Sequence, residues 1–383
     1  MSALPTPSEA ALLHSQRLVD HIRQRITHQQ GWLSFADYME AALYAPGLGY
    51  YSGGSAKFGG TGDFTTAPEM TPLFGRTLAR QLAQAFGHTS PNILEFGAGS
   101  GKLARDILLE LEQLGQLPER YYILDLSAEL CERQWQTLQR DARHLLTHVE
   151  WLDATPNGFT GIVLGNEVLD AMPAHLVQFD GQRWSERGVV DRDGTLALED
   201  HPIEPGMLLE RCMELNIHTP YTTEISLANR GFMATLATQL QQGLILLIDY
   251  GFGKTEYYHP QRNQGTLMCH YRHHAHGDAL FLPGLQDITV HVDFSAVTDA
   301  AIAGGLDLLG YTTQASFLLN AGITELLQAY DPDDIHTYLP LASATQKLLS
   351  PAEMGELFKV IAFSKGFDAA LQGFATGDRS RAL

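Results

Sequence analysis

The sequence predicts an α/β fold, in which a mostly parallel sheet is covered by helices on both faces. From residue 91 onward, short apolar runs alternate with segments of helical periodicity, and buried parallel strands with helical crossovers produce this pattern. The candidate strands are NILEFG, YYILDLS, HVEWLDA, GIVLGNE, LILLIDYG, ITVHVDF and LFKVIAFSKG. The candidate helices cover residues 101–114, 127–141, 230–241, 295–309 and 314–328.

A helical segment is predicted over residues 1–90, which precede the sheet in the sequence. Apolar side chains near helical spacing indicate a first helix within residues 9–30. Ser34 and Asp37 have the spacing of a capping box at the start of a short second helix. Residues 45–66 are rich in glycine and are predicted to form a long loop that can act as a lid.

The remainder of the chain is predicted to contain a sheet domain with insertions. Residues 91–173 form its first half, and residues 174–230 form an inserted α+β subdomain that is rich in strands. The Asp-Gly pair at 180–181 predicts a hairpin turn there. Residues 231–383 form the second half, with an irregular insertion at 251–287.

The composition is that of a folded globular protein with an acidic surface. The chain has 383 residues, of which 44% are hydrophobic and 18% charged, and its net charge is -19. Such a surface repels phosphate backbones, so a nucleic-acid substrate is not expected. A basic partner, such as an Arg-bearing protein, would suit this charge. Ordinary solubility charge explains the same composition, so both interpretations stay open.

The cysteine pattern indicates a reducing compartment, and the hydropathy pattern indicates neither a signal peptide nor a membrane span. Cys131, Cys212 and Cys269 are far apart and form no C-x-x-C pair. The first residues contain no long apolar core of a signal peptide, and no apolar run is long enough to span a membrane. We therefore expect a cytoplasmic protein without a membrane span. The sequence does not indicate its oligomeric state.

The stretch ILEFGAGSGKLARDI, residues 93–107, places three glycines between a strand and a helix. A phosphate-binding P-loop requires G-x-x-x-x-G-K-[S/T], and Gly101 and Lys102 would be its last glycine and its lysine. Phe96 then stands where the first glycine should be, and Leu103 stands where a hydroxyl should bind magnesium. Both positions are chemically essential, so a P-loop is excluded.

A dinucleotide site is also disfavoured, because the spacing of Gly97, Gly99 and Gly101 is G-x-G-x-G rather than G-x-G-x-x-G. Gly97 would allow the tight turn, and Gly99 would allow a ligand to approach the backbone closely. Glu95, just before the turn, is unfavourable beside a pyrophosphate and favourable beside a cation. S-adenosylmethionine carries a sulfonium and an ammonium group but no phosphate. The pattern resembles motif I of class I methyltransferases and predicts this cofactor.

Two further acids follow the next two predicted strands. Asp125 ends YYILDLS and is predicted to accept the ribose hydroxyls, while Asp153 ends VEWLDA and is predicted to lie near the adenine amino group. Together with Glu95 they place three acids at the carboxyl ends of three successive strands, where open α/β sheets bind ligands. The alternative is a structural glycine turn surrounded by three solvated acids.

The fourth strand and its loop, GIVLGNEVLDAMPAH, resemble the MidA-like methyltransferases, which include the mitochondrial respiratory complex I assembly methyltransferase and its bacterial relatives. GYYSGGSAKFGGTGDFTTAPEMTPLFG, QGTLMCHYRHHAHGDALFLPGLQDITVHVDFSA and MGELFKVIAFSKG are similar to further segments of that family. The matches run from about residue 30 to residue 366 in family order. Asp125 is a departure, because glutamate is commoner there in the family.

This resemblance implies a Rossmann-like class I methyltransferase sheet with an added subdomain. It also implies methylation of protein arginine, as in the mitochondrial member, whereas the substrate of bacterial members stays open. The predicted cofactor contacts are Glu95, Gly97, Ala98, Gly99, Gly101, Asp125, Leu126, Ser127, Asp153, Ala154, Thr66 and Pro68.

The predicted catalytic residues follow the fourth strand, where a class I enzyme presents its substrate-facing loop. Glu167 is predicted to hold a guanidinium, with Asp170 as a second acid and Asn166 beside them. Alternatively, these acids cap the next segment or support the loop. An Asn-Pro-Pro-Tyr motif is absent, which disfavours amino methylation of a DNA base.

Three further predictions concern loops and polar strand ends. Thr66, Pro68 and Glu69 are candidates for a lid near the methionine end of the cofactor, or for a structural loop. His291 and Asp293 would alternate onto one face of a strand, either in the cleft or as an internal pair.

Asp249 and Tyr250 end another strand, where they are either cleft residues or structural. The histidines of residues 270–276 have no recognisable zinc-ligand spacing, so no metal is predicted.

The leading hypothesis is therefore a S-adenosylmethionine-dependent protein arginine methyltransferase. Methylation of a small molecule is an alternative within the same chemistry. An assembly factor that uses the cleft to hold a partner is an alternative outside catalysis.

Overall fold

The computed structural model describes residues 4–53 and 66–383, which form two compact units. Unit 1 comprises residues 4–53, 169–231 and 255–291, and unit 2 comprises residues 66–168, 232–254 and 292–383. The central part of the predicted glycine-rich lid, residues 54–65, lies outside the described residues.

The helices and strands have the following bounds. The α-helices are Glu9–His28 (α1), Phe35–Tyr44 (α2), Ala67–Met70 (α3), Pro72–Ala85 (α4), Lys102–Gln113 (α5), Ala128–Asp141 (α6), Met207–Glu214 (α7), Leu227–Gln239 (α8), Lys254–Tyr257 (α9), Phe294–Ala303 (α10), Gln314–Asn320 (α11), Ile323–Gln328 (α12) and Ile335–Leu349 (α13). Short 3-10 helices cover Arg143–His148, Pro260–Arg262, Gln372–Phe374 and Ser380–Ala382. The strands are Leu33–Ser34 (β1), Asn92–Phe96 (β2), Arg120–Leu124 (β3), Val149–Leu152 (β4), Phe159–Asn166 (β5), His175–Phe179 (β6), Trp184–Arg192 (β7), Thr195–Pro202 (β8), Tyr221–Ile225 (β9), Leu240–Phe252 (β10), Met268–Tyr271 (β11), His274–His276 (β12), Asp287–Thr289 (β13), Val292–Asp293 (β14), Asp307–Thr313 (β15) and Phe358–Lys365 (β16).

Unit 2 contains the predicted sheet. Its order is β15-β16-β10-β5-β2-β3-β4, with β14 paired to β10. The five strands from β10 to β4 are parallel, and β16 is antiparallel to both of its neighbours. Within the parallel part the order is 3-2-1-4-5, as in the Rossmann fold, and it reverses between β2 and β5. Ligands of such sheets bind beyond the carboxyl ends of the strands at this reversal.

Strand β2 shows why helices cover both faces of this sheet. Its side chains alternate, so Ile93 and Phe96 point to opposite faces. Ile93 is fully buried in the apolar cluster that α4 and α5 share. Phe96 packs edge-on against Phe232 of α8, with ring centroids 5.1 Å apart. The α/β class and the Rossmann-like sheet are thus confirmed.

The predicted helix over residues 295–309 is wrong in its last part. Helix α10 ends at Ala303, and Gly304 and Gly305 follow it, the latter with a left-handed φ of 86°. The chain then forms β15, which pairs antiparallel with β16. The two glycines end the helix, and the run DLLGYTT after them is too short for its periodicity to separate strand from helix.

The predicted single strand ITVHVDF is also wrong. Its first part lies in β13, which belongs to the three-stranded sheet of unit 1, and its last part is β14 of unit 2. His291 and Asp293 therefore do not alternate on one strand. The Asp293 side chain instead caps α10, because its Oδ1 accepts from the backbone N–H groups of Ser295 and Ala296, each at 3.1 Å.

Unit 1 is built on an antiparallel sheet of order β1-β7-β6-β9, with β8 paired to β7. Helix α1 presents a buried stripe of Leu18, Ile22 and Ile26, and the apolar cluster that contains this stripe also includes Leu176 of β6 and Val189 of β7. The N-terminal helices therefore share one core with the 174–230 region. This division differs from the predicted one because a common core joins segments that are distant in sequence.

Local turn chemistry explains which hairpins were predictable. Asp180 and Gly181 lie in the connection between β6 and β7, so the hairpin predicted there is confirmed. The predicted irregular insertion at 251–287 instead contains the antiparallel sheet β12-β11-β13. Its tight turn uses Arg272 and His273, with left-handed φ values of 47° and 64°. Asn-Gly or Asp-Gly usually occupies such a turn, so these two residues did not predict it.

Two features are not found in residues 4–53 and 66–383. No helix there is both long and apolar enough to cross a membrane. No group of three or more His, Cys, Asp or Glu side chains there could hold a metal ion.

Candidate active site

The glycine turn after β2 has the geometry that its sequence predicts. Gly97, Gly99 and Gly101 adopt left-handed φ values of 64°, 54° and 80°. The N–H of Gly97 donates to the carbonyl of Leu124 at 3.0 Å, and that of Gly101 donates to the carbonyl of Ala98 at 2.8 Å. These bonds join the turn to the end of β3 and close it before α5 begins. Only glycine adopts three such conformations without strain.

The glycines differ in what surrounds them. An added Cβ at Gly99 would meet no atom within 4 Å, so the backbone there faces open space. An added Cβ at Gly101 would lie 2.8 Å from the Cα of Gln134, because α6 approaches the turn closely. Gly99 therefore leaves room for a ligand, whereas Gly101 leaves room for a helix.

Glu95 is almost completely buried at the end of β2. Its Oε2 accepts a hydrogen bond from the Tyr121 hydroxyl at 2.8 Å. Burial is the main cause that raises the pKa of Glu95. The Tyr121 hydrogen bond lowers this pKa and the nearby Asp125 carboxylate raises it, and the net pKa is about 8. A buried carboxyl of this kind is stabilised in its ionised form by a cation, which is the charge that the sequence predicted for the ligand.

The end of β3 presents Asp125, Leu126 and Ser127. Asp125 Oδ1 accepts from the backbone N–H of Ser127 at 3.0 Å, and its Oδ2 accepts from Gln134 Nε2 at 2.9 Å. Leu126 is 79% exposed, whereas Ser127 is buried and caps α6. A carboxylate fixed on both oxygens, with a bare apolar side chain beside it, suits a ribose with its attached base.

Gln134 is a residue that the sequence analysis missed. It is fully buried on α6, and its Nε2 also donates to the carbonyl of Gly99 at 3.3 Å. Its Oε1 accepts from the indole N–H of Trp151, in β4, at 3.0 Å. One side chain thus connects the turns after β2 and β3 to β4. A polar residue on the buried stripe of an amphipathic helix, beside Leu130 and Leu138, was the available signal.

Asp153 and Ala154 follow β4 and are both exposed. Asp153 lies close enough to Cys131 to raise the pKa of that thiol, after burial and Asp125. The charges of Asp125 and Asp153 therefore both act on the thiol of Cys131 in α6. The structure places the three predicted strand-end acids at the carboxyl edge of the same sheet.

Helix α3 is attached to the glycine turn by an ion pair. Glu69 accepts from Lys102 Nζ at 2.7 Å and also from the hydroxyl of Ser100. Thr66 precedes α3 as its N-cap residue, and Pro68 lies in its first turn. Lys102 is the one cation of the turn sequence GAGSGK, and Glu69 neutralises it. The turn is therefore poorly suited to bind a phosphate.

Strand β5 ends at Asn166, and the next residue, Glu167, has an unusual backbone conformation. Glu167 has a left-handed φ of 53°, and its N–H donates to the carbonyl of Ile248 in β10 at 2.8 Å. Asn166 Nδ2 donates to Glu167 Oε1 at 3.0 Å. Non-glycine residues in this region of φ cost about 1 kcal/mol or more and cluster at functional sites. Val168 lies beside the glycine turn, since its Cγ2 is 3.4 Å from an added Cβ at Gly97.

Asp170 and Asp249 are placed differently from Glu167. Asp170 belongs to unit 1, where it is 5% exposed and its carbonyl accepts from the N–H of Val290 at 3.0 Å. Asp249 is fully buried in unit 2, and its carboxylate accepts from the adjacent Tyr250 N–H at 2.9 Å.

These features fit a cofactor with a positive charge and ribose hydroxyls. Residues 77–312, more than half of the chain, match the profile of a family described as "Putative S-adenosyl-L-methionine-dependent methyltransferase". The chain belongs to this family of methyltransferases. The resemblance seen in the sequence is thereby confirmed.

A solved structure of a related protein contains the cofactor without its transferred methyl group. A protein from Burkholderia thailandensis, described as a "likely methyl transferase" and bound to S-adenosyl-homocysteine, is 52% identical to this chain. The similarity covers 100% of both chains with a TM-score of 0.96. S-adenosyl-homocysteine is S-adenosylmethionine without its transferred methyl group. The predicted cofactor, S-adenosyl-L-methionine, is therefore confirmed.

Two curated relatives carry a more specific name. One from Danio rerio, named protein arginine methyltransferase NDUFAF7, mitochondrial, is 29% identical over 90% of this chain and 86% of its own length. A homologue from Drosophila melanogaster with the same activity in its name is 28% identical over 96% of this chain and 89% of its own length.

Proposed function

We propose that this methyltransferase transfers the methyl group to an arginine side chain of a protein partner. The names of the relatives from Danio rerio and Drosophila melanogaster support this substrate. The observation that carries the proposal is Glu167, a carboxylate that follows a central strand and directly precedes Val168, which lies beside the glycine turn.

Glu167 is fixed at both its backbone and its side chain. Its N–H is bound by the carbonyl of Ile248, and its Oε1 is bound by the amide of Asn166. A carboxylate oriented in advance loses little entropy when it binds a planar guanidinium through two parallel N–H bonds. Asn166 Oδ1 is buried and meets no donor within the described part of the chain, so a substrate N–H could also satisfy it.

The proposed chemistry requires alignment, charge compensation and removal of one proton. Bound S-adenosylmethionine supplies a methyl group on a positively charged sulfur. Glu167 would orient the guanidinium so that one of its nitrogens faces the carbon of this methyl group. It would also receive the N–H proton that the nitrogen loses as its bond to carbon forms and the carbon–sulfur bond breaks.

Unit 1 has its own features suited to a cationic side chain. Tyr44 and Tyr51 stack with ring centroids 5.5 Å apart, and the Tyr51 hydroxyl donates to Asp287 at 3.0 Å. Burial raises the pKa of Tyr51, and Asp287, Tyr44 and Asp170 raise it further, so both acids lie close to it. Aromatic faces and carboxylates are the groups that bind arginine. They support Asp170 as an acid of unit 1 that attracts a cationic side chain.

The surface charge supports a basic protein partner, because a net charge of -19 attracts Arg-bearing segments. We also keep the bacterial cytoplasm as the proposed location. The three thiols, Cys131, Cys212 and Cys269, all lie in described residues and form no disulfide, which supports a reducing compartment.

The test uses S-adenosylmethionine with a labelled methyl group and protein extract from cells that lack this methyltransferase. We expect the label in methylarginine after hydrolysis of the protein fraction. Glu167→Gln should lower the rate by about a hundredfold or more, as is typical for a general base, and should leave the cofactor Kd within about twofold. Glu150→Gln, an exposed change of the same kind, is the control.

Each alternative has its own outcome. Label in a small molecule, or in another amino acid, would exclude arginine as the substrate. Unchanged turnover in Glu167→Gln would contradict the role of Glu167 but not methylation itself. Cofactor binding without any transfer would favour an assembly factor.

A further inference from the structure

Gln134 uses the hydrogen-bonding groups of its side chain without contact to bulk water. Nε2 donates to Asp125 Oδ2 at 2.9 Å and to the carbonyl of Gly99 at 3.3 Å, while Oε1 accepts from Trp151 Nε1 at 3.0 Å. The residue is fully buried, so no solvent molecule replaces these partners if the amide turns. Such a network fixes the groups that it joins.

The orientation of this amide follows from its partners. An indole N–H can only donate, so Trp151 must face the oxygen of the Gln134 amide. An ionised carboxylate can only accept, so Asp125 must face the nitrogen. The oxygen and nitrogen of an amide have nearly the same shape, so packing alone would not decide which way the amide faces. Trp151 and Asp125 decide it, because both require the same orientation of the amide.

We propose that Gln134 is a positioning residue of the cofactor site, which fixes the Asp125 carboxylate and the Gly99 carbonyl before S-adenosylmethionine binds. The proposal rests on the predicted role of Asp125 as acceptor of the ribose hydroxyls. Without Gln134, Asp125 would retain only bonds from the backbone N–H groups of Ser127 and Leu126, and its Oδ2 would lose the amide that holds it. The Asp125 carboxylate would then have to be oriented during binding, which lowers the affinity for a ligand that binds this carboxylate.

Two observations support this role over simple packing. An apolar side chain would fill the same space but leave the Trp151 N–H and one Asp125 oxygen without their partner. In addition, a Cβ added to Gly101 would lie only 2.8 Å from the Gln134 Cα, so only glycine leaves room for α6 at this point. The backbone of α6 is therefore brought against the turn where the amide reaches Gly99.

The test compares two ligands and two matched variants. The ligands are S-adenosyl-homocysteine and its 2′-deoxy analogue, and their affinities are measured by calorimetry. Gln134→Met removes the amide at nearly constant volume. Gln136→Met makes the same change at an exposed position on the same helix, where the side chain bonds only to Glu132 in the described chain.

We expect the wild type and Gln136→Met to prefer the ligand with the complete ribose by about tenfold, the value of a hydrogen bond to a charged group. Gln134→Met should lose most of this preference. Equal weakening of both ligands in Gln134→Met would show that Gln134 only supports the fold, and unchanged binding would show that it does nothing. Either result overturns the proposal.

Two further variants keep the test decisive. Trp151→Phe removes the N–H that orients the amide, so it should reduce the ribose preference. This variant still tests the proposal if Gln134→Met fails to fold. A full ribose preference in Trp151→Phe would contradict the orientation argument. Asp125→Asn should abolish the preference. If Asp125→Asn keeps the wild-type preference, the ribose role of Asp125 is wrong and the proposal fails with it, although arginine methylation would be unaffected.

Discussion

Replacing Glu95 by glutamine should flatten the pH dependence of stability. Burial raises the pKa of Glu95 to about 8, from an ordinary value of 4.5. In the unfolded chain the carboxyl ionises near its ordinary pKa, whereas in the folded chain it stays protonated to a higher pH. The unfolded state therefore binds fewer protons than the folded state between these two values. The free energy of unfolding must fall as the pH rises through this window.

The magnitude follows from the width of the window. One pKa unit corresponds to about 1.4 kcal/mol, so Glu95 should lower the free energy of unfolding by roughly 4 kcal/mol between pH 5 and pH 8. With an unfolding entropy of about 2.1 cal/mol/K per residue, this is about 5 °C in Tm if the whole chain melts together. Glu95→Gln cannot ionise and lacks this contribution.

The assay is thermal unfolding of cofactor-free protein at pH 5, 6, 7 and 8. Glu119→Gln removes one carboxyl at an exposed position and serves as the control. The Tm of the wild type and of Glu119→Gln should fall more steeply across this range than that of Glu95→Gln. Parallel Tm profiles for Glu95→Gln and the wild type would refute the reasoning, because Glu95 would then titrate alike in both states.

Three other predictions concern the ligand. S-adenosylmethionine, a cation, should lower the pKa of Glu95, so calorimetry at pH 7 in two buffers should detect proton release that Glu95→Gln lacks. Gly99→Ala and Gly115→Ala both place a Cβ in open space at a left-handed φ, so each should lower the free energy of unfolding by about 1 kcal/mol. Only Gly99→Ala should also weaken cofactor binding, by about tenfold or more. Glu69→Gln removes the partner of Lys102 and should strengthen ATP binding up to about fivefold, measured by fluorescence titration.

Each of these predictions has a contradicting result. Equal proton release in the wild type and in Glu95→Gln would assign the proton to another group. Equal cofactor affinity in Gly99→Ala and Gly115→Ala would show that the ligand does not approach Gly99. Unchanged ATP affinity in Glu69→Gln would show that Lys102 does not decide between phosphate and sulfonium ligands.

The parallel core was predictable because its signals are local. Apolar strands such as NILEF, with glycines directly after them, have few alternatives, and the turn at Gly97, Gly99 and Gly101 follows from its residues alone. The acids Glu95 and Asp125 were found because the carboxyl ends of neighbouring parallel strands must meet at one edge.

The features that were missed depend on contacts between distant segments. The strand β15 follows Gly305, and its pairing with β16 decides a run that is ambiguous by itself. The hairpin at Arg272 and His273 uses residues that rarely adopt its geometry. Gln134 looks like an interruption of an apolar stripe until Asp125 and Trp151 are seen beside it.

The pairing of β10 with β16 has a consequence for synthesis of this protein. β10 ends at Phe252, and β16, which pairs with it from Gly243 to Tyr250, begins only at Phe358. At about 5 to 20 residues per second, the ribosome needs roughly 5 to 20 s to make the intervening chain. During that time an apolar strand has an open edge that can pair with another nascent chain. Slower growth at low temperature, or a chaperone that covers this edge, should raise the soluble yield.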